Sequence, residues 1–307
     1  MSTIQVDDLH VTYTPRHRPP VEAVRGVSFE VREGEVFGLL GPNGAGKTST
    51  LEVCEGFRRP TCGSVSVLGL VPHAKQTALR LRRDVGIVLQ EIAVEPYLTV
   101  REALTRNAGY YQHPRPVDGV IETVGLGEKR DAQIRTLSGG QQRRLDLGLG
   151  IIGRPRLLFL DEPTTGFDPS ARRGAWDVVR ALRDEGTTIV LTTHYLDEAE
   201  ALADRVCVIG AGRVLAQGTP SELGGRSDAP AHVRFTLAGG AAAGLPSLPD
   251  DETSYAGDDV TVRAADPTRT LHGLTGWALE KGARLERLTV ERASLEDVYL
   301  DLTREQS

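Results

Sequence analysis

The run Gly41-Pro42-Asn43-Gly44-Ala45-Gly46-Lys47-Thr48 fits the pattern G-x-x-x-x-G-K-[ST]. It follows the apolar stretch VFGLL (36–40) and opens a helix expected over Ser49–Glu55, closed by Gly56. A polyphosphate cradle requires that position between a buried strand and a helix. Glycines let successive backbone N–H groups turn toward one point, and the helix N-terminus adds partial positive charge. Lys47 can reach the β- and γ-phosphates, and Thr48 can offer its hydroxyl to Mg2+. Only four of the 36 basic residues are lysine, yet one stands here, where a compact ammonium suits better than a planar guanidinium.

A second group of candidates sits at strand ends. LLFLD (157–161) runs into Glu162, which puts two adjacent carboxylates at the carboxyl end of a strand, where ligands of open α/β sheets bind. Asp161 suits the holding of Mg2+, directly or at one remove. Glu162 can polarise a water against a γ-phosphate. His194 ends TIVLTTH (188–194) and could bond a γ-phosphate or hold the attacking water, although a lone histidine after a strand is more often structural. Gln90 ends VGIVLQ (85–90) and could orient water or touch Mg2+; taken alone it is an ordinary polar strand end.

The elements that must carry these residues alternate. VSFEV (27–31) alternates ahead of a tight turn at 32–35, whereas VFGLL, VGIVL, LLFLD and TIVLT read as buried parallel strands. A helix with Ala175, Val178, Val179 and Leu182 on one face lies between the last two and stops at Gly186. Strand–helix–strand alternation predicts an α/β fold with a largely parallel sheet. Residues 91–150 hold no clear buried strand and read as an inserted helical subdomain. Near residue 225 the texture changes: residues 225–307 carry net charge −5, against −1 before them. There HVRFTL (232–237) and VTVRA (260–264) alternate across a Gly/Ala/Pro-rich loop, followed by a helix near 270–281 and a strand near 285–290. A last helix is expected from an N-cap at Ser294, with Leu295, Val298, Tyr299 and Leu302 on one face. The expectation is a main domain over 1–224 and a small α+β appendage over 225–307.

Leu137-Ser138-Gly139-Gly140-Gln141, opening the helix QQRRLDL, is the LSGGQ signature. With it, in the order phosphate loop, Gln90, signature, acidic pair, Asp168 and His194, the chain resembles the ABC transporter ATP-binding subunit over about residues 1–220. The resemblance implies a P-loop NTPase core with an antiparallel β subdomain and an inserted helical subdomain. It implies ATP and Mg2+ as cofactors. Tyr13 would stack on adenine, and Gly41, Pro42, Asn43, Gly44, Ala45, Gly46, Lys47, Thr48 and Ser49 would hold the phosphates. Thr48, Gln90 and Asp161 would serve the metal, Glu162 would be the general base and His194 the γ-phosphate switch. Ser138, Gly139, Gly140 and Gln141 would meet the ATP of an opposite subunit, and Asp168 would bridge the two sites. The residues themselves support that dimer: a Ser-Gly-Gly helix start with no acid in its first turn is a second anion site. Two cradles distant in one chain serve one nucleotide if they meet across an interface, which predicts a head-to-tail homodimer.

FGLLGPNGAGKTST, RRLDL, LFLDEPTTGFDP, THYLDEAEALADRV and SLEDVYLDLT together resemble the bacterial drug-export type, of which daunorubicin/doxorubicin resistance ATP-binding proteins are the best-known members. That class implies a separate transmembrane permease, efflux of a drug or other hydrophobic compound, and a cytoplasmic place on the inner face of the membrane. Apolar residues of EIAVEPYLTV, around Gln90 to Leu98, would meet the permease. Three departures stand out: Phe167 where Leu is usual, Thr14–Pro20 inserted after Tyr13, and Gly148, Gly150 and Gly153, which are expected to loosen the signature helix.

Composition agrees. Hydrophobic residues at 39% can form a core, and a net charge of −6 argues against a nucleic-acid partner. Cys54, Cys62 and Cys207 form no metal or disulfide pattern, which fits a reducing compartment. The start MSTIQVDDLH lacks the features of a signal peptide, and the uncharged run 235–249 is broken by Gly and Pro. An alternative reading is a soluble ABC-type ATPase acting on ribosomes or DNA; the single cassette, the lack of a coiled-coil insertion and the acidic balance disfavour it. A regulatory module without turnover is disfavoured by Glu162 and His194.

Overall fold

The computed structural model describes residues 2–14, 16, 19–89, 95–223, 231–237, 245 and 252–291. The chain divides into two units, Met1–Pro220 and Ser221–Glu305. In the first, β1 (Ser2–Tyr13) and β2 (Val21–Arg32) pair antiparallel. Then come β3 (Val36–Leu40), α1 (Lys47–Cys54), β4 (Cys62–Val67), α2 (Lys75–Asp84) and β5 (Val85–Val88). A helical stretch follows with α3 (Val100–Ala108), α4 (Val117–Thr123) and α5 (Gly139–Ile151). β6 (Leu157–Asp161), α6 (Pro169–Asp184), β7 (Thr188–Thr193), α7 (Leu196–Leu202), β8 (Arg205–Gly210) and β9 (Arg213–Gly218) complete the unit.

Two sheets result. One is antiparallel, in the order β2-β1-β4; the other has six strands in the order β5-β6-β7-β3-β8-β9, parallel except for β9. The central strands are buried on both faces, so they read as continuous apolar runs. Alternate side chains feed different cores. Leu158 and Leu160 pack with Leu104, Ile121 and Leu145 of the helical stretch, whereas Leu157 and Phe159 pack with Val24 and Phe29 of the antiparallel sheet and Leu51 of α1.

The glycines of the signature helix tighten this arrangement instead of loosening it. α5 runs unbroken through Gly148 and Gly150. A Cβ at Gly150 would lie 2.6 Å from Val88 Cγ2, and one at Gly148 would lie 3.3 Å from Val120 Cγ1. A Cβ at Gly153 would collide with the ring of Tyr111. The lost helix propensity is exchanged for close approach of β5 and α4.

The second unit holds β10 (Ala231–Leu237), β11 (Glu252–Ala256), β12 (Asp259–Ala264), α8 (Pro267–Lys281) and β13 (Leu285–Glu291). Its antiparallel sheet has the order β11-β12-β10-β13. Val233, Phe235, Val260, Val262 and Leu274 of α8 form a core of their own. The expected helix after Ser294 lies outside the described residues, as does Gln90.

Candidate active site

The phosphate loop joins β3 to α1. Two of its glycines are fixed by space: a Cβ at Gly41 would run into the carbonyl of Ile209, and one at Gly46 (φ 105°) into that of Ala23. Gly46 caps α1, whose first turn holds no acid, so its N–H groups stay available to an anion. Lys47 is buried, and its Nζ donates to the carbonyls of Gly41 at 2.7 Å and Pro42 at 3.1 Å. Burial pulls this ammonium below the usual lysine range, and the carboxylates of Glu162 and Asp161 pull it back up. The loop opens on a cleft of about 780 Å³ lined by Asn43, Lys47, Thr48, Ser49, Glu162 and Tyr13, among others.

Tyr13 is the last residue of β1. Its hydroxyl lies 2.8 Å from Ser49 Oγ, and the guanidinium of Arg58 sits 4.3 Å from its ring centroid. Glu52 holds Arg58 at 2.6 Å. One ring face is therefore covered by a cation, and the ring is fastened to α1.

Across the sheet, β6 delivers Asp161 and Glu162, and β7 delivers Thr192 and His194. Asp161 is buried and accepts from Thr192 Oγ1 at 2.5 Å. Glu162 has φ 47°, and its N–H reaches Thr192 Oγ1 at 3.0 Å and Thr192 O at 3.2 Å. His194 Nδ1 lies 3.3 Å from Glu162 Oε1. Glu162, a carboxylate able to take a proton, thus lines the cleft that Lys47 and Thr48 enter, with His194 beside it and the buried Asp161 just before it in the chain.

The described residues contain no group of three or more His, Cys, Asp and Glu side chains able to hold a metal. Mg2+ is commonly bound through one or two carboxylates together with substrate phosphates. The Thr48 hydroxyl on the cleft and the buried Asp161 carboxylate fit a magnesium that shares its ligands with a nucleotide.

Ser138, Gly139, Gly140, Gln141 and Asp168 do not line this cleft. Ser138 caps α5 in a reciprocal box: Gln141 N donates to Ser138 Oγ at 3.3 Å and Ser138 N to Gln141 Oε1 at 3.0 Å. A Cβ at Gly139 would meet nothing within 4 Å. Asp168 caps α6, accepting from Ser170 N at 2.9 Å and Ala171 N at 3.0 Å, which holds its carboxyl below the usual range.

Two residues at the site carry no motif of their own. Thr192 orders both acids yet reads as one more residue of an apolar strand. Arg143 is buried at the position four before Leu147 and eight before Ile151, and a cation in an apolar helical stripe is the signal that marks it.

Residues 24–165 match the family model described as "ABC transporter", and residues 231–294 match "ABC transporter domain-containing protein-like, C-terminal domain". The chain is 39% identical over 295 residues to "Nod factor export ATP-binding protein I" of Burkholderia thailandensis, covering 91% of each. It is 37% identical over 294 residues to "Daunorubicin resistance ATP-binding protein DrrA3" of Streptomyces coeruleorubidus, covering 92% of this chain and 91% of that protein. A solved "Structure of ATP binding subunit of ABC transporter" superposes with TM-score 0.64 at 26% identity, over 72% of this chain and 91% of the other.

Proposed function

The chain belongs to the ABC transporter family, and on that premise we propose that it hydrolyses ATP to drive export through a separate transmembrane permease. The observation that carries the reading is the meeting of Lys47, Thr48 and Glu162 at one cleft, with His194 3.3 Å from Glu162. The loop N–H groups and Lys47 hold the phosphates, and Glu162 takes the proton of the attacking water. His194 keeps Glu162 oriented and is placed to follow the γ-phosphate. Magnesium, when bound, neutralises charge on the phosphate oxygens. Tyr13 offers its uncovered ring face to the adenine.

Two copies of the chain complete the site. Gly139 has no neighbour in its own chain to exclude a side chain. At the N-terminus of α5 the Ser138–Gln141 box takes neither the Gly139 nor the Gly140 N–H, which suits an approaching anion from a second copy. ATP then joins two subunits head to tail, and hydrolysis releases them. Asp168, at the start of α6, would bridge the two sites.

None of the described helices is long and apolar enough to cross a membrane. In this reading the permease is a separate chain, as the exporter class implies, and the ATPase sits on its cytoplasmic face. Of the stretch around Gln90 to Leu98 expected to meet the permease, residues 90–94 lie outside the described residues; β5, the strand that leads to that stretch, walls a groove with Val85, Gly86 and Ile87. Phe57, Leu79 and Tyr110 stand on its rim, exposed by 63%, 72% and 76%, and suit the apolar face of a permease helix. Relatives named for Nod factor export and for daunorubicin resistance resemble this chain about equally, so cargo selection belongs to the permease. A drug or other hydrophobic compound is the cargo class this reading expects.

The test is Glu162→Gln in the chain co-purified with its permease. The amide keeps the shape and cannot accept the proton, so turnover falls by about 10²–10⁴-fold and ATP traps a dimer on sizing. A variant that stays monomeric with ATP, or that hydrolyses at the wild-type rate, defeats the reading.

A further inference from the structure

Arg143 makes contacts that this reading leaves unused. It stands in α5, five residues after the N-cap Ser138, and its guanidinium reaches away from that helix. It donates to the carbonyl of Leu89, the residue before Gln90. It also donates to the carbonyls of Asp161 at 2.6 Å, Glu162 at 3.1 Å and Pro163 at 3.4 Å. One side chain therefore grips the end of β5 and three successive carbonyls of the acidic turn. Asp146, one turn further along α5, lies 3.8 Å away and offsets the buried charge.

A packing role alone does not account for this arrangement. Leu147 and Ile151 fill the same stripe with hydrocarbon, and a buried cation is costly unless it is paired and bonded. A guanidinium spreads its donors over three nitrogens in one rigid plane, so it can bridge carbonyls on separate elements, a span that the single nitrogen of an ammonium does not have. Because the acceptors are backbone atoms, Arg143 responds to where the acidic turn and the β5 end are placed. A shift of either must move α5 or break charge-assisted hydrogen bonds.

We propose that Arg143 is a positioning residue that couples a subunit's own phosphate site to the placement of its signature helix. The inference rests on the ATP-driven dimer proposed above. There, the N-terminus of α5 faces the nucleotide of the opposite subunit, so the Glu162 turn of one site and the signature of the other move as one body. Each site then feels the state of its partner, and hydrolysis is cooperative in ATP.

The experiment compares wild type, Arg143→Lys and Arg143→Gln, each with the permease present. ATP affinity is read with a fluorescent ATP analogue, and turnover is read across an ATP titration. The expected result is an affinity within about twofold of wild type, a kcat lower by about tenfold or more in Arg143→Gln, and a Hill coefficient falling toward 1. Arg143→Lys, with charge but no fork, falls between the two. Unchanged kcat and Hill coefficient in both variants overturn the proposal. So does a parallel loss of affinity and kcat, which a merely structural role produces. Should Arg143→Gln fail to fold, Arg143→Lys decides by the same split. A wild-type complex that hydrolyses no ATP overturns the exporter reading and this inference with it; active wild type matched by both variants overturns this inference alone.

Discussion

At Glu162 the backbone takes a left-handed conformation that residues with a side chain rarely adopt, at a cost of about 1–3 kcal/mol. Thr192 holds it there, accepting from the Glu162 N–H while donating to Asp161, so one hydroxyl sets the geometry of both acids. Tyr13 is positioned in a similar way, between Ser49 and Arg58. Two roles are open to that ring, and substitution separates them. A stacked base gains about 1–3 kcal/mol from an aromatic face, so Tyr13→Ala is expected to raise KM for ATP about tenfold or more, and Tyr13→Phe to leave it nearly unchanged. If the hydroxyl bond to Ser49 were what mattered, Phe and Ala would raise KM alike. The strands that carry the phosphate loop, the acidic pair and His194 were legible in the sequence because an apolar run marks each one, whereas the roles expected of these residues came from the motifs and their order. Thr192 carried no such mark and Arg143 only that of a charge in an apolar stripe; their partners lie 31 and 18 residues away, and only the folded sheet brings them together.

Glycines decide how closely the elements approach. Gly86 of β5 lies so near the Gly150 carbonyl of α5 that a Cβ would overlap it, and both are backbone positions that cannot rotate aside. Gly174 in the middle of α6 has nothing within 4 Å of its would-be Cβ. Opposite outcomes follow from the same substitution. Gly86→Ala is expected to lose about 1–3 kcal/mol by forcing β5 from α5, and Gly174→Ala to gain up to about 1 kcal/mol of helix propensity. Chemical denaturation of the two variants checks both signs. In the second unit two elements with buried faces were readable: the helix expected at 270–281 is α8, and the run at 232–237 is β10. β11 was missed because all five of its residues are exposed, so no alternation marks it; backbone pairing with β12 alone defines it. β2 starts at Val21, earlier than its apolar core suggested, because pairing with β1 extends it.

Taken over the whole molecule, the acidic balance has a local consequence for stability. Glu55 caps the C-terminal end of α1, where the helix dipole already disfavours a negative charge. Burial raises its carboxyl, and the charges of Asp161 and Glu52 raise it further, to about 8. In the unfolded chain the same group titrates near 4.5. Between those values the folded protein keeps a proton that the unfolded chain has released. Stability is therefore highest with respect to this group below about pH 4.5, falls as pH rises toward about 8, and levels off above that. The loss amounts to a few kcal/mol at most. Glu55→Gln is close in shape and carries no charge at any pH, so it removes this slope. Melting curves taken from pH 5 to 9, without added nucleotide or magnesium, are expected to show the variant gaining on wild type steadily as pH rises. Parallel curves for the two proteins would mean that Glu55 ionises freely in the folded state, with its neighbours accommodating the charge.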